Sequence, residues 1–424
     1  MIDTFDFNKT SEECIKCGKC IPDCTIHLVN PDETTSPRGF LDLLAAYQKG
    51  DLPLDKNVKD IFESCFLCTT CVEVCPNSLP VDMLIEQVRN DIRKKFGLAW
   101  YKRLFFFLLR HRKIMDFLAR IGYVFQTCGF KIKEEIESME SRFYLPIIKN
   151  NRVLPRGAKK SFLNSHPDTI DNGGNKKVAL FIGCLANYSY TNTGKALLEI
   201  LKELNIDVDL IKKQHCCGAP AYFTGDFDTV EFLSKKNIEY FETFIDDVDA
   251  IIIPEATCSA MIKIDYEHFY HDNPKWKARA VKLKDKVFMA TEYLDKKTNL
   301  KEILSHKDKN LTDLVTYHDP CHAKKMQGIH QEPRNLITQT YQIKEMSESD
   351  RCCGFGGVTM QTEKFHFAKA AGIPKAHMIK DTKANIVSSE CSACRMQITN
   401  SLNDAKVETV FKNPLELIAE ALKG

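Results

Sequence analysis

Eight cysteines near the start of the chain stand in one pattern used twice, Cys14-x2-Cys17-x2-Cys20-x3-Cys24 and Cys65-x2-Cys68-x2-Cys71-x3-Cys75. Each cysteine of the second copy lies 51 residues after its counterpart. Three thiolates two residues apart can wrap one face of a cubane iron-sulfur cluster, while the fourth points away and completes the other cluster. The spacing therefore assigns Cys14, Cys17, Cys20 and Cys75 to one [4Fe-4S] cluster, and Cys24, Cys65, Cys68 and Cys71 to another. Zinc is the competing occupant, but it prefers two separated cysteine pairs in a closed tetrahedron and would use these triplets awkwardly. The second copy ends in Pro76 and the first in Thr25, a change that alters a turn and removes no ligand.

Nine further cysteines lie between Cys184 and Cys394. Cys321, Cys352, Cys353 and Cys391 follow Cys184, Cys216, Cys217 and Cys258 at nearly constant offsets of 133 to 137 residues, so a larger unit is also repeated. In that register Cys394 should have a partner at position 261, which is Met261. Adjacent cysteines cannot both face one small ion without strain, but they suit a larger cluster gripped from several loops. Cys391-x2-Cys394 alone would also suit a dithiol redox pair, yet its register with Cys352 and Cys353 favours ligation. In the first rear unit Cys184, Cys216, Cys217 and Cys258 offer four thiolates to metal. An iron-sulfur cluster, a zinc ion and an empty relic all stay open there, because the Met261 thioether is a weaker ligand than a thiolate. His215, His318 and His322 sit beside these loops, either as structural residues or as donors of protons and hydrogen bonds. Cys128 has no spaced partner and reads as an ordinary apolar residue.

The elements that must hold these cysteines differ between front and rear. Residues 177–182, 207–211, 249–253, 314–317 and 385–387 are apolar or β-branched runs separated by helix-length stretches such as 192–204. That alternation predicts parallel sheets with crossover helices, and it puts most rear cysteines in loops just after strands. The front block reads as helical over 39–48 and 81–95. Between them, residues 98–133 hold eight Lys or Arg against the single acid Asp116, among many aromatics. This basic amphipathic pattern suits a membrane interface or a partner subunit; the plainer reading is a connector packed between domains. Residues 150–175, with prolines, glycines and many polar residues, read as a linker. The expected organisation is 1–97, a helical domain with two cluster sites; 98–175, connector and linker; 176–305 and 306–424, two α/β cysteine-rich domains.

Composition narrows the function. The chain has 424 residues, 44% hydrophobic and 27% charged, with a net charge of +2, which excludes a disordered chain and a dedicated nucleic-acid binder. Its longest fully apolar run is 104–109, far short of the ~20 residues of a membrane helix. The polar start of the chain lacks a secretory signal, so a cytoplasmic address is expected, with peripheral contact on the membrane as its variant. No dinucleotide or phosphate-loop fingerprint is present.

Three stretches carry a family resemblance. The front cysteines and Ser36-Pro37-Arg38-Gly39 resemble the helical ferredoxin domain of respiratory iron-sulfur subunits. His318-Asp319-Pro320-Cys321, Cys352-Cys353-Gly354 and Cys391-Ser392-Ala393-Cys394 resemble the CCG domain of heterodisulfide reductases and of glycolate, lactate and glycerol-3-phosphate dehydrogenase iron-sulfur subunits. The resemblance covers nearly the whole chain. It implies a non-cubane [4Fe-4S] cluster on Cys321, Cys352, Cys353, Cys391 and Cys394. It also implies an electron-transfer subunit of a flavin-dependent 2-hydroxy-acid dehydrogenase, with glycolate or lactate as substrate. A FAD-containing partner would hold the substrate site, and a quinone or another acceptor would receive the electrons. The alternatives are a heterodisulfide-reductase-like, fumarate/succinate or glycerol-3-phosphate dehydrogenase subunit with redox catalysis at the CCG cluster, and a zinc-stabilised interaction scaffold.

Overall fold

Parallel strands with crossover helices build the rear half twice. The computed structural model describes residues 6–144, 148, 152–307, 313–357 and 364–423. The first rear sheet has the order Thr169–Ile170, Ile206–Leu210, Lys176–Leu180, Ala250–Ile253, Val287–Met289. Apart from the antiparallel edge strand Thr169–Ile170, its pairs are parallel, with Val178 opposite Val208 and Ala250. The second sheet runs Gln342–Ile343, Leu314–Tyr317, Ile386–Ser388, Val410–Lys412, all parallel. The two orders are the same once the antiparallel edge is set aside, so the cysteine repeat is a repeat of topology. Ala250, Ile251, Ile252 and Ile253 are fully buried, as expected for a central strand covered by helices on both faces.

The front block is helical, with Pro37–Lys49 and Val81–Phe96 as its longest elements. Val81–Phe96 buries Leu84, Ile85, Val88 and Ile92 at helical spacing against the front core. Two helices, Trp100–Arg110 and Arg112–Gly129, form the connector and lead into a small antiparallel sheet of Phe130–Lys133, Ser138–Ser141 and Val153–Pro155. The stretch 150–175, read as a linker, is therefore partly built into the fold. Its polar composition hides Phe162 and Leu163, which are buried in the core of the first rear sheet; residues 149–151 lie outside the described set. Cys128, read as apolar, is exposed.

A buried guanidinium joins the front block to the first rear unit. Arg89, 1% exposed, donates to the carbonyls of Phe62 (2.9 Å) and Cys65 (2.7 Å) in the front block and of Phe223 (2.8 Å) in the first rear unit. Two glycines let backbones meet around it. A Cβ on Gly225 (φ +76°) would stand 2.3 Å from the Arg89 carbonyl carbon, and one on Gly356 would stand 2.0 Å from the Phe66 oxygen. Removing a hydrogen-bonded buried partner leaves its acceptors desolvated and unpaired. Arg89→Met is expected to cost roughly 3 kcal/mol, read as faster amide hydrogen exchange confined to residues 62–68 and 221–226. Unchanged exchange there would refute this role.

Candidate metal centres

Two cavities divide the front cysteines. Cys14, Cys17, Cys20, Cys71 and Cys75 line one. Cys24, Cys65, Cys68 and Cys71 line the other, beside Thr25, Phe66 and Asp82. Pro37 lines both, because the helix Pro37–Lys49 begins between them. Ser36 caps that helix, its Oγ accepting from Gly39 N at 2.9 Å, and Pro37 takes the first turn. A helix N-terminus presents free N–H groups and partial positive charge, which suits an anionic cluster. Thr25 starts its own short helix and brings its hydroxyl to 3.7 Å from Cys68 Sγ. Burial pushes the Cys24 and Cys71 thiols up, and Cys65 to about 12 against the opposing pull of Arg89. Such thiols stay protonated without a strong Lewis acid, so metal loading must release protons.

The second rear site adjoins the second front cavity. Cys321, Cys352, Cys353, Cys391 and Cys394 all lie in loops at the C-terminal ends of parallel strands or at the helix starts that follow. Cys353 and Cys394 sulfurs are 3.5 Å apart, and with a His318 ring nitrogen they all lie within 4.8 Å of one another. His318 Nδ1 pairs with the Ser349 carbonyl at 3.0 Å, while its buried Nε2 has no hydrogen-bond partner, an orphan that a ligand-side sulfur would satisfy. Hydrogen bonds from Cys352 pull both Cys321 and Cys68 below the usual thiol range, Cys68 to about 5. Cys352 thus acts on one cysteine of the front block and one of its own unit. Gly357 N donates to the Phe66 carbonyl at 3.2 Å, and Lys325 Nζ donates to Thr70 Oγ1, closing the same junction. These thiol sets suit iron-sulfur centres: soft donors, buried, converging from several loops.

In the first rear site, Cys184, Cys216, Cys217 and Cys258 are neighbours, and their mutual influence together with burial pushes all four thiols up. Met261 is fully buried beside them, its methyl 3.7 Å from where a Cβ on Gly218 would stand. Leu109, Arg112 and Met115 of the connector cover the opening at Cys184 and Cys216. His215 is held neutral by burial, and its Nδ1 has no partner.

The two rear sites differ in charge. In the register of Cys184 with Cys321, the second site has His318, His322 and Lys325 where the first has Phe181, Leu185 and Tyr188. Burial lowers the His322 pKa, but Cys321 and Asp265 outweigh it and carry it up to about 9. Lys375, fully buried, donates to the carbonyls of Glu348 (2.6 Å) and Ser349 (3.4 Å). In the first unit an uncharged side chain, Asn237, donates to the carbonyls beside the cysteine pair, those of His215 and Cys216. Burial pulls Lys375 down to about 8, still protonated at neutral pH. None of Lys325, Lys375 and Arg89 was singled out from the sequence. A lysine or arginine on an amphipathic helix reads as solvated, and only its carbonyl partners on distant loops reveal the buried role.

Carboxylates cross between the rear units. Glu255 accepts from Ser392 N at 2.8 Å and from its hydroxyl; Glu390 accepts from Thr291 N at 3.2 Å and from its hydroxyl. Each acid is the second residue after a central strand, and burial raises both to about 8.

Comparison with known proteins identifies the domains that carry these cysteines. Residues 178–263 and 315–399 match the CCG cysteine-rich domain, and residues 10–79 match a 4Fe-4S dicluster domain. The chain is 28% identical over 402 residues to a probable glycolate oxidase iron-sulfur subunit of Bacillus subtilis, covering 91% of this chain and 87% of that protein. It is 31% identical over 225 residues to lactate utilization protein A of Bacillus cytotoxicus, 52% of this chain and 90% of that one. A subunit of the fumarate reductase (CoM/CoB) of Methanothermobacter marburgensis is 28% identical over 415 residues, 96% of this chain and 71% of that protein. A hypothetical protein from Helicobacter pylori shares the fold, with a TM-score of 0.53 and 11% identity over 99% of this chain and 75% of that one.

The buried charge of Lys375 should stabilise the more reduced state of a centre held beside it. Lys375→Met is expected to lower the midpoint potential of the second rear centre by on the order of tens of millivolts. The front centres should not move; redox titration followed by electron paramagnetic resonance reads both.

Proposed function

The chain belongs to the CCG family of cysteine-rich iron-sulfur proteins, and on that premise we propose that it is the electron-transfer subunit of a flavin-dependent 2-hydroxy-acid dehydrogenase, with glycolate or lactate as the substrate class. In this reading a FAD-containing partner oxidises the hydroxy acid, and a quinone or another acceptor takes the electrons from this subunit. Iron-sulfur centres supply single-electron steps, which a two-electron flavin needs when its acceptor lies elsewhere.

The residues divide the work. Cys14, Cys17, Cys20 and Cys75 would hold one cubane cluster, and Cys24, Cys65, Cys68 and Cys71 the other. Cys321, Cys352, Cys353, Cys391 and Cys394 would hold the non-cubane cluster, with Lys325, Lys375 and His318 setting its charge and hydrogen bonding. Cys184, Cys216, Cys217 and Cys258 would hold a further iron-sulfur cluster or zinc.

The observation that carries the reading is the junction of two cysteine loops. Lys325, on the helix that begins at Cys321, donates to Thr70 beside Cys68, and Gly357, just past Cys353, donates to the carbonyl of Phe66 beside Cys65. A structural zinc scaffold has no need to bring two separate ligand sets into contact, whereas an electron route does. The names of the relatives, which pair iron-sulfur subunits with glycolate oxidase and lactate utilization, support the substrate class.

Anaerobic reconstitution is expected to give a brown protein with about twelve irons per chain, at four per cluster, or about sixteen if the first rear site also takes a cluster. A colourless zinc protein would sink the proposal. Cys68→Ala should slow reduction of the second rear centre by the co-purified flavoprotein and its hydroxy acid at least tenfold, while dithionite still reduces that centre. Equal rates in both proteins would remove the proposed route.

A further inference from the structure

The connector turns its apolar face outward. Of the fourteen exposed large hydrophobic side chains among the described residues, eleven lie between Trp100 and Tyr144. Trp100, Leu104 and Phe107 recur on the exposed side of Trp100–Arg110, whose opposite side buries Phe106 and Leu109. In Arg112–Gly129 only Gln126 is buried, and Ile114, Phe117 and Phe125 are exposed. A water-facing helix places its apolar residues the other way round. Apolar exposure on this scale, gathered in one place, marks a contact surface.

Charge selects what that surface meets. Arg103, Lys113, Arg120 and Lys131 are exposed around the apolar residues. The one acid of residues 98–133, Asp116, is neutralised: it accepts from the Tyr188 hydroxyl at 2.6 Å and lies 4.0 Å from Arg112. The helix pair therefore offers apolar side chains and positive charge, and the next acids along the chain, Glu134 and Glu135, follow its second helix. No helix among the described residues is long and apolar enough to cross a bilayer. A helix pair of this kind lies in the headgroup region, aromatic rings in the acyl boundary and cations at the phosphates.

The root of the pair is fixed. Arg112 donates to the carbonyls of Lys212 and Gln214, and the Arg110 guanidinium sits 4.5 Å from the Phe232 ring centre. The same corner covers the first rear cysteine site through Leu109 and Met115.

We propose that the helix pair Trp100–Arg110 and Arg112–Gly129 is a monotopic dock for anionic lipid, which holds the first rear cysteine site against the membrane surface. The dock needs no electron transfer, so its test is separate from that of the redox reading.

The test is sedimentation of the whole reconstituted chain with phosphatidylcholine vesicles, with and without phosphatidylglycerol. Binding to the phosphatidylglycerol vesicles should exceed binding to the neutral ones at least tenfold and should fall as salt rises. The double change Phe117→Glu with Phe125→Glu should cut it at least tenfold, and so should Lys113→Glu with Arg120→Glu. All four positions are exposed, and an unchanged iron content shows that each variant has folded. Absence of vesicle binding, equal binding to neutral vesicles, or binding indifferent to both double changes would overturn the proposal. So would loss of a co-purifying protein from the Phe117/Phe125 variant with vesicle binding intact, which would make this face a protein dock.

Discussion

A single guanidinium governs how the halves of this protein meet. Arg89 is buried and donates its hydrogen bonds to carbonyls of two turns, Phe62 and Cys65 in the front block and Phe223 in the first rear unit. A charge buried in this way is tolerated only with its acceptors in place, which makes the arrangement of those turns a condition of folding. The turns are also the ones that carry or adjoin cysteines. Cys65 supplies one of the carbonyls, and Phe223 follows Cys216 and Cys217 along the same loop. Fixing the backbone around Arg89 therefore fixes where the thiols can point, and glycine at 225 and 356 lets the surrounding chains approach closely enough for the joint to close.

From that joint the two rear units diverge in character although their sheets have the same strand order. The second collects Lys325, Lys375, His318 and His322 around five cysteines; the first has Tyr188, Asn237, Phe181 and Leu185 around four cysteines and a methionine. Duplication has thus left one backbone plan with two electrostatic settings. Surrounding cations favour extra negative charge on whatever the second set of thiols holds, whereas the first set has uncharged residues in those positions and meets a cation, Arg112, only from the connector.

Much of this was readable from residue order alone, for reasons that can be named. Cysteine spacing survives as a signal because ligands cannot be moved without losing the metal. The strands Lys176–Leu180 and Leu314–Tyr317 stood out as apolar runs because central parallel strands are buried on both faces. Edge strands such as Gln342–Ile343 and Val410–Lys412 did not, being only two or three residues long and half exposed. The connector announced a basic amphipathic helical pattern but not its division into two helices, and periodicity carries no information about which face meets the core: the polar-looking Lys102 and Gln126 are buried while Phe117 and Phe125 face out. Phe162 and Leu163 were lost among polar neighbours for the opposite reason: a short apolar pair gives no period at all.

The crossed carboxylates have a bearing on how the chain is made. Glu255 is synthesised well over a hundred residues ahead of the serine that satisfies it, and Thr291 likewise waits for Glu390. Until Ser392 has been made, Glu255, three residues before Cys258, lacks the hydrogen bonds that hold it. The first rear unit thus completes its hydrogen bonding only with the second in place, and the two units close together.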